Sequence, residues 1–230
     1  MNIPITGLPG IGTAVTATPR EILAGNAQLA EYIPGLHVIE GAKSRDALNT
    51  TNPDVLRAGM LLGKTTEGTY APSVIGVLTA AAAASATGIT VSPAVAMELL
   101  RRIGATGSLK LVGPPSSGGT VAMQTVTYTG VNTSSGIITV NALGAPAIAG
   151  SLVQPADGSQ TILTLLGNRW GVKVTDVNGN STNVLEDQLL LNGYVKTANV
   201  INYPTDPSLI AYVKAALRVN CPAMTFDDAF

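Results

Sequence analysis

Two nearly all-apolar runs joined by a glycine turn, within residues 55–78, constrain the fold more than any other part of this sequence. Residues 60–62 have the length of a buried strand, and residues 73–78 form a second apolar run that is rich in branched side chains. Gly68 marks a tight turn between them, because glycine adopts positive φ without steric cost. The predicted hairpin has no polar face, so both of its sides require a covering layer.

Helix signals occur at three places, each with an N-cap residue followed by proline at the first helical position. They predict helices over residues 18–32, 93–103 and 207–217. The N-cap residues are Thr18, Ser92 and Asp206. Most other apolar segments are short and alternate with turn residues, as strands do. The predicted strands include residues 36–39, 109–112, 121–128, 137–140, 161–166, 171–176 and 184–191. The sequence therefore predicts a β-rich α+β fold.

Charged residues are scarce, at 12% of the chain against about 25% in ordinary soluble domains. The net charge is −1, and the sequence does not indicate the basic patch that is typical of a nucleic-acid-binding protein. No segment approaches the roughly 20 clearly apolar residues of a membrane span, and the start resembles no signal peptide. The single cysteine, Cys221, excludes an internal disulfide framework. These features predict synthesis in the cytoplasm, with no nucleic-acid or membrane partner.

Reactive side chains are few and poorly grouped. Ser44, His37 and Asp46 could form a catalytic grouping only on a polar, glycine-flanked segment that does not hold them in place. His37 is the sole histidine and has no cysteine or histidine partner for a metal. Asp157 opens a turn without a second carboxylate at calcium-ligand spacing. We therefore predict no enzyme activity, no metal site and no cofactor.

A soluble chain with so few charges exposes apolar surface or buries it against another protein. Large apolar surface patches usually mark interfaces. Low charge together with few reactive groups is typical of a component of an assembly.

The segment LRAGMLLGK, a short turn and GTYAPSVIGV, within residues 56–77, resemble the head-decoration (cement) proteins of tailed bacteriophages, the family that includes the phage lambda decoration protein. Residues 41–51 are similar to the junction between arm and core in that family. Residues 155–167 resemble its second strand pair, which a DGS-type turn opens. The resemblance covers residues 40–80 and 152–215.

The resemblance implies three parts. Residues 1–54 would be an extended capsid-binding arm, and residues 55–88 with 152–230 a core like that of the lambda decoration protein. Residues 89–151, with a predicted helix and antiparallel sheet, would be an inserted module that shorter members of the family lack.

The resemblance also implies a function. Such proteins are structural virion proteins that bind the outer surface of the expanded capsid as trimers, at threefold and quasi-threefold positions, and stabilise the head against internal DNA pressure. The expected partners are the major capsid protein and two further copies of this chain. The alternatives are an outward-facing adhesive head fibre that binds the host surface and a structural component of the tail.

Candidate contact residues follow from the implied parts. Capsid-binding candidates on the arm are Ile22, Leu23, Leu36, Val38, Ile39, Lys43, Arg45, Asp46 and Asn49. Trimer-interface candidates are the aromatic residues Tyr70, Trp170 and Tyr194. The alternative for Trp170 is a place in the core, although tryptophan is enriched at interface hot spots.

Overall fold

A computed structural model of the protein describes residues 19–25, 29–114 and 121–228. Within these ranges the chain forms seventeen short strands and two α-helices, so the predicted β-rich α+β class is confirmed. Neither of these helices is long and apolar enough to cross a membrane.

The elements are numbered in chain order. The helices are α1 (Pro93–Arg102) and α2 (Pro207–Asn220). The strands are β1 (Glu31–Tyr32), β2 (His37–Ile39), β3 (Val55–Leu56), β4 (Leu61–Lys64), β5 (Tyr70–Pro72), β6 (Gly76–Val77), β7 (Gly88–Thr90), β8 (Gly107–Gly113), β9 (Ala122–Asn132), β10 (Ile137–Val140), β11 (Leu152–Pro155), β12 (Thr164–Leu165), β13 (Val172–Lys173), β14 (Val184–Glu186), β15 (Leu190–Asn192), β16 (Tyr194–Lys196) and β17 (Thr225–Asp227).

The largest sheet has six antiparallel strands in the order β6-β11-β8-β9-β10-β7. It curls, so that Leu78, just beyond β6, pairs with Val91, just beyond β7. The concave side encloses an apolar cluster to which α1 contributes Val95 and Leu99. Strands β6 and β11 come from the predicted core and complete the sheet of the predicted insertion, so the two parts share one sheet.

The predicted hairpin is the centre of a second, five-stranded sheet in the order β12-β4-β5-β2-β14. Strands β4 and β5 are antiparallel, and Gly68 between them has a φ of 83°. Leu61 and Leu62 are both buried, and they belong to different apolar clusters. Both faces of the hairpin are therefore covered, as expected of strands with no polar side. The second strand of this hairpin is β5 and not the predicted run over residues 73–78, of which only Gly76–Val77 forms a strand, β6, in the other sheet.

Both helices with described N-caps begin as predicted. The Ser92 hydroxyl accepts a hydrogen bond from the Val95 amide, and the Asp206 carboxylate accepts hydrogen bonds from the amides of Ser208 and Leu209. Each cap satisfies amides that a first turn leaves without an intrahelical partner. Helix α2 buries Leu209, Val213 and Leu217 in the cluster that also contains Leu61.

Strand β16 lies between the two ends of the described chain. On one side, Leu23 pairs with Val195. On the other side, β17 runs parallel to β16 near the C-terminus. These contacts correct the predicted helix over residues 18–32 as far as it is described. The amide of Ala24 donates to the Tyr194 carbonyl, and the Ile22 carbonyl accepts from Lys196, so strand pairing replaces helical hydrogen bonds there.

The prediction of an extended arm over residues 1–54 also requires correction for its described residues. Strand β2 pairs with both β14 and β5 inside the five-stranded sheet, and β1 pairs with β15. Ile22, Leu23 and Ile39 are buried in the chain's own core. Residues 19–25 and 29–54 are thus part of the folded body, and the arm prediction for residues 1–18 lies outside the described residues.

Candidate interaction surface

Asp46 organises the loop over residues 44–53. Its carboxylate is 1% exposed and accepts hydrogen bonds from Arg57 Nε at 2.5 Å and Arg57 Nη2 at 3.1 Å. It also accepts a hydrogen bond from the Leu48 amide at 3.1 Å. A buried carboxylate is stable only when its oxygens are paired in this way. Arg57 and Asp46 therefore fix the base of the loop.

Backbone and amide contacts hold the rest of this loop. The Asp46 amide donates to the Pro53 carbonyl at 2.8 Å, which closes the loop at its two ends. The Asn49 side chain donates to the Val55 carbonyl at 3.2 Å. The 44–53 loop thus has a fixed conformation, and it forms one wall of the groove described next.

Helix α1 faces this wall across a groove with a volume of about 580 Å³. Its apolar lining residues are Ala47 and Pro53 from the loop and Ala94, Met97 and Leu100 from α1, and Thr50 of the loop also lines it. Met97 is 58% exposed and Leu100 is 38% exposed. The helical spacing of Val95, Leu99, Leu100 and Ile103 predicts one apolar stripe, whereas the structure places Leu100 on the groove side.

Three charged side chains border the groove. Arg101 donates two hydrogen bonds of 2.7 Å to the Glu98 carboxylate and one of 2.5 Å to the Ala42 carbonyl. Arg45 donates to the carbonyls of Gly41 and Ser44 and to the Ser181 hydroxyl. No carboxylate of the described residues forms an ion pair with Arg45. The groove border therefore has a net charge of about +1.

The opposite side of α1 is anchored by a buried ion pair. The Arg102 side chain is fully buried, and its Nε lies 2.9 Å from Asp157 Oδ2. Its other nitrogens donate to the Pro72 carbonyl at 2.7 Å and to the Ser159 hydroxyl at 2.6 Å. Arg102 thus joins the helix to β5 and to the turn after β11. From its place in the last turn of the predicted helix, the sequence indicates for Arg102 only a charge that is favourable at a helix C-terminus.

The stability of this ion pair depends on pH. Although burial acts in the opposite sense, the Arg102 charge and hydrogen bonds from Arg102 and Ser159 lower the pKa of Asp157 below its ordinary value. A carboxyl whose pKa is lower in the folded protein than in the unfolded chain stabilises the fold above its unfolded pKa of about 4, and this contribution disappears as the pH falls through the folded pKa. We expect the free energy of unfolding, followed by urea denaturation, to fall between pH 5 and pH 3 by more in the wild type than in the double variant R102M/D157N. An equal pH dependence of the two proteins would contradict this assignment.

Most of the nine predicted capsid-binding residues are engaged within the chain. Ile22, Leu23, Ile39 and Asp46 are buried and present no surface to a partner. The other five are Leu36, Val38, Lys43, Arg45 and Asn49, and all are at least partly exposed. Arg45 lines the groove. Lys43 forms ion pairs with Glu40 and Glu67.

The three predicted trimer-interface residues differ in exposure. Tyr70 is 6% exposed and packs within the chain, so it has almost no surface for another copy. Trp170 and Tyr194 are each 46% exposed, and Arg169 stacks on the Trp170 ring at 5.1 Å. Trp170 therefore does not fill the core, whereas its place in a trimer interface stays a prediction.

Ser44, His37 and Asp46 do not form a hydrogen-bonded grouping. His37 Nε2 lies 3.2 Å from the Ile33 carbonyl oxygen, and the Asp46 carboxylate binds Arg57 and the Leu48 amide. The Ser44 hydroxyl is buried and makes no hydrogen bond. Across the described ranges, no three histidine, cysteine, aspartate or glutamate side chains are grouped so that they could hold a metal. Cys221 is buried, and its thiol lies near the carbonyls of Leu163 and Leu190.

Comparison of the chain with protein-family models, with curated proteins and with solved structures finds no match. A function can therefore be inferred from two features of the described residues. They are the groove between the 44–53 loop and α1, and the exposed apolar side chains.

Proposed function

We propose that this protein is a structural virion protein that binds the outside of an expanded phage capsid as a trimer. It would occupy threefold and quasi-threefold positions and hold neighbouring capsomers together against the pressure of packaged DNA. The resemblance of residues 40–80 and 152–215 to phage head-decoration proteins supports this proposal. The major capsid protein and the other two copies are the proposed partners.

The observation that supports it best is the number of large apolar side chains at the surface of a chain with only 12% charged residues. Leu36, Val177, Leu185 and Val219 are each more than 60% exposed. Single exposed apolar residues are normal in monomers, but many of them on a charge-poor surface favour association with other proteins.

Trimeric symmetry suits weak surface contacts. In a cyclic trimer each contact with the shell occurs three times, and linked contacts bind far more tightly than one contact alone. A capsid-binding arm, if residues 1–18 supply it, could add a strand to an exposed edge of the shell protein through main-chain hydrogen bonds.

The proposal predicts two measurable properties. Light scattering should give a mass of three times 23.3 kDa for the purified protein. Co-sedimentation should show binding to expanded heads and little binding to unexpanded heads of the phage whose genome carries the sequence. A monomer without affinity for either kind of head would contradict the proposal. Immunolabelling of virions on the tail would favour a tail component.

A further inference from the structure

We propose that the groove between the 44–53 loop and α1 binds a short segment of the shell protein that combines apolar side chains with a carboxylate. This inference rests on the proposed function and names the partner segment and its site. The groove would supply a contact on the folded body, distinct from any contact made by residues 1–18.

The apolar character of the groove is the first reason. Helix α1 buries Val95 and Leu99 against the curled sheet, yet its other side exposes Met97 and Leu100. A helix on a protein surface normally presents polar side chains on the side away from the core. Apolar side chains on both sides of α1 indicate that a binding partner covers the outer side in the functional complex. Methionine adapts readily to the shape of a bound segment.

The rigidity of the groove is the second reason. The loop wall is held by the buried Asp46 and by its closure onto Pro53, and the helix wall is anchored from behind by Arg102. Arg101 also ties the helix to the Ala42 carbonyl, two residues before the loop begins. A site whose walls are already ordered loses little conformational entropy when a partner binds.

The charge of the border identifies the polar part of the partner. Glu98 neutralises Arg101, whereas Arg45 has no ion-pair partner among the described carboxylates. Arg45 is partly buried, and desolvation by burial together with the nearby Arg101 charge lowers its pKa, although the Glu98 and Asp54 carboxylates act in the opposite sense. A carboxylate of the bound segment would pair with Arg45, whereas a lysine at the same position would be repelled.

The size of the groove identifies the length of the segment. Its volume of about 580 Å³ lies within the usual range for small-ligand clefts, about 300–1,000 Å³. That space accommodates a few side chains and is too small for a folded domain. A short stretch of chain entering an apolar groove is a common mode of protein recognition.

Binding of variants to expanded heads tests the groove. We expect M97D to bind at least about tenfold more weakly than the wild type in co-sedimentation, because it places a charge in the apolar contact and repels a carboxylate. The matched control is A215D, since Ala215 is exposed, lies on α2 and does not line the groove. Both variants should keep the mass and the melting temperature of the wild type, since both side chains are largely exposed.

Each other outcome has a distinct meaning. If the wild type does not bind expanded heads, the proposed function fails, and this inference fails with it. If the wild type and M97D bind equally, only the groove inference is overturned. If M97D loses the trimer mass while A215D keeps it, the groove is occupied by a second copy, which overturns the assignment to the shell protein.

A crosslink identifies the segment directly. A photoreactive amino acid at position 97, activated on protein bound to expanded heads, should link to a shell-protein peptide that contains aspartate or glutamate beside apolar residues. Links to another copy of this chain, to a shell peptide without a carboxylate, or to no peptide would overturn the inference.

Discussion

Replacing Arg102 by methionine is expected to lower the free energy of unfolding by about 3–5 kcal/mol, the usual cost of removing one partner of a buried ion pair. The variant would leave the Asp157 carboxylate without its cation and the Pro72 carbonyl without its guanidinium donor. Methionine retains much of the apolar volume, so the loss would reflect the missing charge and hydrogen bonds. Urea denaturation at a fixed protein concentration measures the difference, because the stability of an oligomer depends on concentration.

Lys214 provides the control, since its Nζ forms an ion pair at the surface with Asp228, whose side chain is 57% exposed. K214M should cost much less, about 1 kcal/mol or below for the exposed pair. The double variant R102M/D157N should recover part of the stability lost in R102M, because it removes the unpaired carboxylate. Equal losses in R102M and K214M would show that the buried pair contributes no more than a surface pair.

Deleting residues 1–40 is expected to unfold the protein. The deletion removes Ile22, Leu23 and Ile39, which are at most 6% exposed, and strands β1 and β2. Each fully buried side chain of this size contributes about 1.5–3 kcal/mol, so the three together approach the 5–15 kcal/mol by which typical domains are stable. Circular dichroism should show no cooperative thermal transition for this variant.

Deleting only residues 1–18 is the control for that experiment. The described residues 19–25, 29–114 and 121–228 contain all three apolar clusters, so this shorter deletion should retain a cooperative transition. If residues 1–18 supply the capsid-binding arm, the shorter variant should also bind expanded heads more weakly. A cooperative transition in the variant that lacks residues 1–40 would contradict the packing described for β1 and β2.

The N-cap and proline signals predicted helices α1 and α2, where no distant strand competes for the backbone hydrogen bonds. Ser92 and Asp206 each lie beside a proline, and the amides they cap are their near neighbours in sequence. The similar signal at Thr18 failed over the described residues 19–25, because Ile22 and Ala24 form backbone hydrogen bonds with β16, more than 160 residues away. Strand pairing over such a separation leaves no trace in a local pattern.

The groove shows the same limit. The sequence indicated that Arg45 lies at a functional junction and that residues 93–103 form a helix. It did not indicate that these two segments face each other, because their contact depends on how the two sheets are arranged. Arg102 and Asp157 are 55 residues apart, and each had a plausible local interpretation as a helix-end charge or as a turn residue. The only available signal for the groove was Met97, an apolar residue off the buried stripe of α1.

The position of β16 has a practical consequence for attaching other proteins to this one. Leu23 and Phe226 both pair with Val195 from opposite sides, and neighbouring strands lie about 4.8 Å apart, so these two residues are separated by only about 10 Å. Foreign domains joined close to residues 22–24 and to β17 would therefore start near each other and compete for the same space. The exposed turn at Asn178 and Gly179 offers a separate insertion point for a displayed peptide.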